Sequence, residues 1–406
     1  MEKKEILLLT VSGQDKPGLT TGITEILSGY NANILDIGQA VIHNSLSLGM
    51  LVEVEEVKTS SILKDVLYRS HDLDISVKFS PVETGRYKEW VDQQAKGRYI
   101  VTVLSRRISA EQIAKITKII YRQGLNIDII NRLTGRIPLN ENAEKTKACI
   151  EFSVRGKPEN EKKMKADFFH LAQVTDADIS FQHDDVYRKN RRLVCFDMDS
   201  TLIQTECIVE LAKRHGVGDK VRAITESAMR GEIDFKESFT RRLALLKGLD
   251  VSVMQDIAEN LPVAEGAERL ISTLKDFGYK VAVLSGGFMY FGRCLQKKLN
   301  IDYVYANELE IVNGKLSGRY LGDIVDGEKK AQLLRLIAQM ENIKLEQVIA
   351  VGDGANDLPM INAAGLGIAY HAKPLVRKNA GHAISTIGLD GILYLLGYRD
   401  RHLKKG

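Results

Sequence analysis

Apolar residues along this chain fall into two regimes, and the change between them divides the molecule. Up to about residue 184, short strands alternate with helical stretches whose apolar residues recur every third or fourth position. Ile6-Leu7-Leu8-Leu9-Thr10-Val11 and Ile100-Val101-Thr102-Val103-Leu104 read as the opening strands of two copies of one pattern. A helix follows in each, carried by Leu19, Ile23, Ile26, Leu27 and Tyr30 in the first and by Ile113, Ile116, Ile119 and Ile120 in the second. Asn33-Ile34-Leu35-Asp36-Ile37 is echoed by Asn126-Ile127-Asp128-Ile129, and a third strand at 48–54 by one at 149–154. Helices near 60–69 and 160–172 lead into Asp74-Ile75-Ser76 and Asp178-Ile179-Ser180. The repeat of about 95 residues is therefore β-α-β-β-α-β twice over, the ferredoxin-like α+β order. Its copies span 1–82 and 96–184; residues 81–97 read as a linker, and the charged stretch 184–192 as a joint to the remainder.

Beyond residue 190 the strands become continuous apolar runs: Leu193-Val194-Cys195-Phe196, Val281-Ala282-Val283-Leu284 and Val348-Ile349-Ala350-Val351. Runs without alternation suit a parallel sheet covered on both faces. Residues 203–262 carry no strand signal, only helical spacing such as Ile208, Leu211, Ala212 and then Leu243, Leu245, Leu246. This predicts a helical cap inserted after the first strand. Helix 266–277, strand 280–284 and helix 288–299 come next, then a hairpin turned by Asn313-Gly314. Helix 327–341, strand 347–351, helix 357–364 and strand 366–370 complete a doubly wound α/β domain over 190–406.

Composition narrows the function classes. A chain of 406 residues has room for two or three domains, and 44% hydrophobic with 27% charged residues is ordinary for a globular protein. The net charge of +4 is spread out, and Arg191-Arg192 and the cluster at 401–405 read as solvated surface, so no nucleic-acid partner is expected. Cys149, Cys195, Cys207 and Cys294 have no Cys-x-x-Cys spacing and point away from disulfides and towards a reducing cytoplasm. The apolar run after Met1-Glu2-Lys3-Lys4-Glu5 is too short for a membrane span or signal segment, so no membrane partner is expected.

The chemistry gathers at the ends of the apolar strands, the edge where open α/β sheets bind ligands. Asp197 and Asp199 follow the first, Asp353 and Asp357 follow the third within Gly352-Asp353-Gly354-Ala355-Asn356-Asp357, and Ser285-Gly286-Gly287 follows the second. Carboxylates this close repel each other unless a cation or shared proton relieves them, and hard oxygen ligands suit Mg²⁺. The Ser285 hydroxyl, the glycine N–H groups and a lysine charge suit a phosphate. Lys330 and its neighbour Lys329 both qualify for that charge.

Asp197-x-Asp199-x-Thr201, Ser285-Gly286, Lys330 and Gly352-Asp353-Gly354-x-Asn356-Asp357 resemble the four motifs of the haloacid dehalogenase-like hydrolases, and within them the phosphoserine phosphatases. The resemblance covers about residues 190–395. It implies Asp197 as nucleophile, Asp199 as general acid and base, and Lys330 with Ser285 and Gly286 as phosphate ligands. It further implies Mg²⁺ held by Asp197, Asp353 and the Asp199 main-chain carbonyl, with Asp357 behind, and Asn356 orienting the loop or a substrate oxygen. In the cap it points to Glu206 for a substrate ammonium, Arg242 for a carboxylate, and Met229 and Phe235 as pocket walls. The implied substrate is O-phospho-L-serine, the reaction the last step of L-serine biosynthesis.

The amino-terminal repeats resemble ACT domains, modules that bind amino acids and adjust an attached enzyme. Asp15-Lys16-Pro17-Gly18 is the candidate effector turn, because Gly18 admits close backbone approach to a helix N-terminus; the second copy has Ser105-Arg106-Arg107-Ile108-Ser109 there and lacks the glycine. L-Serine is the expected effector, and open ferredoxin-like edges make a homodimer through these modules the expected assembly. Two alternatives stay open at this level: a phosphatase for another small phosphorylated metabolite, and a non-catalytic amino-acid sensor.

Overall fold

The structure is a computed structural model and describes residues 3–94, 97–136 and 146–403. It divides into two compact units, 1–96 and 97–406. In the first, β1 (Lys4–Gln14), α1 (Leu19–Gly29), β2 (Asn33–Ile42), β3 (Ser45–Glu55), α2 (Thr59–Asp72) and β4 (Ile75–Val82) form an antiparallel sheet in the order β2-β3-β1-β4. Its core is the alternate face of those strands, with Leu9, Val11, Leu48, Met50 and Val52 against Ile23, Leu27, Ile62 and Val66 of the helices. The stretch read as a linker is not extended: α3 (Thr84–Gln94) occupies most of it.

The second unit opens with the second copy: β5 (Arg98–Ser105), α4 (Ala110–Arg122), β6 (Asn126–Arg132), β7 (Ala148–Arg155), α5 (Glu161–Val174) and β8 (Asp178–His183), in the matching order β6-β7-β5-β8. It continues through β9 (Leu193–Phe196) into four helices, α6 (Cys207–Arg214), α7 (Gly218–Met229), α8 (Phe235–Ala244) and α9 (Ser252–Glu259). After α10 (Ala267–Asp276) come β10 (Lys280–Phe288), α11 (Met289–Leu299), β11 (Tyr303–Val312), β12 (Lys315–Leu321) and α12 (Gly327–Met340). The chain ends with β13 (Val348–Gly352), α13 (Leu358–Ala363), β14 (Leu366–Tyr370), α14 (Pro374–Ala380), β15 (His382–Ile384) and α15 (Gly391–Leu395).

Seven strands form one sheet in the order β12-β11-β10-β9-β13-β14-β15, parallel except for the β11–β12 hairpin. The apolar runs now have a cause. Val194 and Phe196 of β9, with Val281, Val283, Ile349 and Val351, feed one core, while Leu193 and Cys195, with Ala282, Leu284, Val348 and Ala350, feed a second on the opposite face. β9 lies between β10 and β13, so the strand order reverses there and a crevice opens at its carboxyl end.

The second copy is fastened to the seven-stranded domain by buried charge. Asp178 Oδ2 accepts from the Ser385 and Thr386 main-chain N–H groups and from Thr386 Oγ1, at 2.7, 2.8 and 2.8 Å. Lys147 and Arg269 both reach the fully buried Asp390, at 2.7 and 2.9 Å. The charged joint takes part: Arg188 pairs with Glu151, and Arg191, expected on the solvated surface, is buried and donates to the Glu346 carbonyl. Of the other basic cluster, 404 and 405 lie outside the described residues.

Burial raises the Asp178 carboxyl pKa above its usual range, although its three donors oppose the shift. Asp178→Ala takes the acceptor from the main-chain N–H groups of half-buried Ser385 and Thr386, each costing about 1–3 kcal/mol where water does not replace it. Urea unfolding of unit 97–406 in the full chain should show a loss of roughly 3 kcal/mol; a loss near zero would mean this contact carries no weight.

Candidate active site

Three strand ends supply the site, and one lysine ties them together. Asp197 leaves β9, Ser285 lies in β10, and Asp353 and Asp357 follow β13. Lys330, closing the first turn of α12 and fully buried, sets its ammonium 2.8 Å from Asp197 Oδ1 and 2.7 Å from Asp357 Oδ1. Burial alone would lower its pKa, but the two carboxylates outweigh it and hold the amine firmly charged. Lys329 pairs outward with Asp323 at 3.5 Å, which separates the two lysines left open above.

The turn after β9 is tightly specified. Ser200 sits at φ 58°, a left-handed conformation uncommon for a serine, and the Met198 N–H donates to Asp197 Oδ1 at 2.8 Å. Asp199 accepts from the Cys207 N–H, the first residue of α6, at 3.2 Å, so the first cap helix and this carboxylate fix each other. Thr201 Oγ1 donates to Asp353 Oδ1 at 3.2 Å, and the Gly354 N–H donates to Asp357 Oδ2 at 2.9 Å.

Asp197, Asp353 and Asp357 each offer an oxygen within 4.8 Å of the others. Burial, then the Asp197 charge, pushes Asp199 up to about 7; burial, then Asp197 and Asp357, pushes Asp353 up to about 7. Asp357 rises to about 6 through burial and Asp197, against the pull of Lys330. Crowded, half-protonated oxygen donors are what a hard divalent cation would relieve, so this donor set fits one. Both Asp357 oxygens already have donors, whereas one Asp353 oxygen is engaged by Thr201, which leaves Asp353 the freer ligand.

The phosphate turn and cap meet over this cluster. The Gly287 N–H donates to Ser285 Oγ at 2.9 Å, and a Cβ on Gly286 would come within 3.0 Å of Phe235 Cζ, the first residue of α8. Glu206 is the N-cap of α6 and exposed. Arg242 on α8 is half-buried and bonds through Nε to the Ser238 carbonyl at 3.3 Å; burial lowers its pKa while Glu206 and Asp199 raise it, so both charges act on it. Asn356 is half-buried, beside Gly354. Met229 ends α7, but its side chain lies outside the description. Reading the sequence for strand ends missed Asn307, buried in β11 behind the Gly286-Gly287 turn; its one signal is an amide amid strand-forming residues.

In the first unit Gly18 takes φ 90° as the N-cap of α1, with no side chain capping that helix, and Asp15 is exposed nearby in the turn. The corresponding helix of the second copy is closed by its own capping box, Ser109 with Gln112.

Residues 5–80 match the family model of the ACT domain, and residues 191–365 that of haloacid dehalogenase-like hydrolase. The chain is 39% identical over 398 residues to a phosphoserine phosphatase of Streptomyces coelicolor, covering 96% of this chain and 92% of that protein. It is 37% identical over 399 residues to phosphoserine phosphatase SerB2 of Mycobacterium tuberculosis, covering 98% and 94%. A crystal structure of a probable phosphoserine phosphatase from Vibrio cholerae superimposes with a TM-score of 0.58 at 33% identity, covering 75% of this chain and 87% of that one. The doubly wound sheet, its acidic strand ends and the matched model define a hydrolase of the haloacid dehalogenase-like class with an amino-terminal ACT domain. Within that class the chain belongs to the phosphoserine phosphatase family.

The raised carboxylates have a consequence for stability. Asp199 and Asp353 keep their protons to about pH 7 when folded but only to their ordinary 3.8 when unfolded. Between those values the folded state binds more protons, so their contribution to stability falls as pH rises. A cation replacing the protons offsets this. Thermal unfolding should show a larger rise in Tm on adding a divalent cation at about pH 7.5 than at about pH 5.5; an equal or reversed effect would show that these carboxyls are not held above their ordinary range.

Proposed function

We propose that the chain hydrolyses O-phospho-L-serine to L-serine and orthophosphate through a phosphorylated Asp197, with Mg²⁺ as cofactor. One observation carries the reading: a single buried ammonium spans the Asp197 and Asp357 carboxylates at the point where β9, β10 and β13 end. That arrangement neutralises an anionic nucleophile facing an anionic substrate. A phosphoryl group between Asp197 and the Ser285–Gly286 turn would meet Lys330, the Ser285 hydroxyl and main-chain N–H groups.

The chemistry divides into two displacements. An Asp197 carboxylate oxygen attacks phosphorus as the bond to the serine oxygen breaks, and that oxygen takes the proton of Asp199. A water then attacks phosphorus, gives its proton to the Asp199 carboxylate, and frees Asp197 and orthophosphate. A carboxyl poised at about 7 suits both halves, since it is neither always charged nor always neutral near neutral pH. Mg²⁺ held by Asp197, Asp353 and the Asp199 carbonyl, with Asp357 behind, would supply further neutralisation of the phosphoryl oxygens. Glu206 takes the substrate ammonium and Arg242 its carboxylate, while Phe235 walls the pocket; Asn356 orients the loop after β13. Releasing free L-serine makes this the last step of L-serine biosynthesis in our reading. Four free cysteines support a reducing cytoplasm as its compartment.

Phosphate release from O-phospho-L-serine, with and without chelator, tests the reading. Wild type should turn over only with Mg²⁺, Asp197→Asn should lose at least about 10³-fold, and phosphate esters lacking the amino group should be poor substrates. Chelator-insensitive turnover or equal rates on the amino-free esters would overturn the metal or the Glu206 assignment respectively.

The open helix end of α1 supports a regulatory reading. We propose that L-serine binds at Asp15 and Gly18 of the first unit, whose α1 has no side-chain cap, and that two copies associate through these modules. β2, an edge strand with Ile34, Ile37, Val41 and Ile42 exposed, supports the second point. Gly18→Ala forces an alanine to φ 90°, at about 1–3 kcal/mol of strain. Titrated L-serine should change the wild-type rate and leave the variant flat; identical curves would move the effector site off this turn.

A further inference from the structure

The Gly286-Gly287 segment departs from the sheet: the β10–β11 ladder breaks its register between Leu284 and Phe288, and resumes where Phe288 pairs with Asn307. A break of this kind leaves main-chain carbonyls without ladder partners. Asn307, 1% exposed, supplies them. Its Nδ2 donates to the Gly286 carbonyl at 2.8 Å and to the Gly287 carbonyl at 3.2 Å. Its Oδ1 accepts from the Val325 N–H at 2.8 Å. The amide orientation is set by these partners, since a flip would face an oxygen to two carbonyls and an NH₂ to an N–H.

Each end of this side chain governs one wall of the phosphate site. The carbonyl of Gly286 and the N–H of Gly287 belong to one planar peptide and point opposite ways. Holding that carbonyl towards Asn307 therefore turns the N–H to Ser285 Oγ, where it is found at 2.9 Å. At the other end, Val325 precedes Asp326, whose carboxylate caps α12 by accepting from the Lys329 N–H at 2.9 Å, and Lys330 follows in the same turn.

We propose that Asn307 is a positioning residue for phosphoryl binding: one buried amide sets the spacing between the Ser285-Gly286-Gly287 turn and the start of the Lys330 helix. It touches neither substrate nor metal and acts through both groups that hold the phosphoryl oxygens. The proposal rests on the phosphatase reading above. An aspartate here would press a charge against two carbonyls, and an alanine would strand three main-chain groups.

The test is steady-state hydrolysis of O-phospho-L-serine by the full chain with Mg²⁺, together with inhibition by orthophosphate, for wild type, Asn307→Ala and Asn307→Asp. Folded fraction is taken from urea unfolding and rates are expressed per folded enzyme. Both variants should lose about 10²-fold in kcat/KM, and orthophosphate should inhibit about tenfold or more weakly, because the oxygen cradle itself is displaced. A purely structural role would lower only the folded fraction, leaving kcat per folded enzyme, KM and orthophosphate inhibition at wild-type values; that result overturns the proposal. Should one variant fail to fold, the other gives the same readout. Wild type that neither turns over the ester nor is inhibited by orthophosphate overturns the phosphatase reading, and this inference with it. Active wild type with unchanged constants in the folded variant overturns this inference alone.

Discussion

Anionic groups concentrated against one buried cation are the constraint on which this molecule turns. Asp197 and Asp357 share the Lys330 ammonium at 2.8 and 2.7 Å, and Asp353 and Asp199 stand close enough for Asp197 to raise both their pKa values. Left to themselves such charges would scatter into water. They stay because each hangs from the end of a strand or the start of a helix whose other end is packed in a dry core. β9 commits alternate side chains to two cores, so the backbone that carries Asp197 has no freedom to relax the repulsion. Stability spent at the strand ends is recovered from the packing of the sheet, a division common where chemistry needs groups that water would separate.

That division explains what was legible in the sequence. Apolar runs with no polar alternation identify strands buried on both faces, and an aspartate directly after such a run has few structural excuses. Both the sheet and its acidic rim were therefore readable from Leu193–Phe196 and Val348–Val351. Helical spacing likewise revealed the cap, and Asn313-Gly314 the hairpin, whose positive φ values are those the turn needs. Lys330 could not be told from Lys329 by position alone; the turn of α12 decides it, sending one inward to Asp197 and the other out to Asp323.

What stayed illegible was polar and long-range. Asp178, Asp390 and Arg191 look like ordinary surface charge in sequence, since nothing local says that Ser385, Lys147 or the Glu346 carbonyl will be brought to them. The same holds for residues 81–97, whose polar composition suits a solvated helix as well as a linker. Periodicity reports which face is dry; it says little about which distant partner a lone polar side chain finds there.

Those long-range polar contacts change how the second ferredoxin-like copy should be regarded. Arg106, in the turn that corresponds to the glycine turn of the first copy, grips Glu265 with its two terminal guanidinium nitrogens, at 3.0 and 2.7 Å. The residue before Glu265, Ala264, donates its N–H to the Leu202 carbonyl at 2.8 Å, and Gln204 donates likewise to Pro262 at 2.8 Å. These are the two strands of chain by which the cap leaves and rejoins the sheet. A turn that elsewhere in the chain keeps its helix end open is here closed by a capping box and spent on bracing the root of the cap. Two copies of one topology thus put the same turn to opposite uses: in the first it leaves the helix end without a side-chain cap, and in the second it is a strut against the segment through which the cap rejoins the sheet.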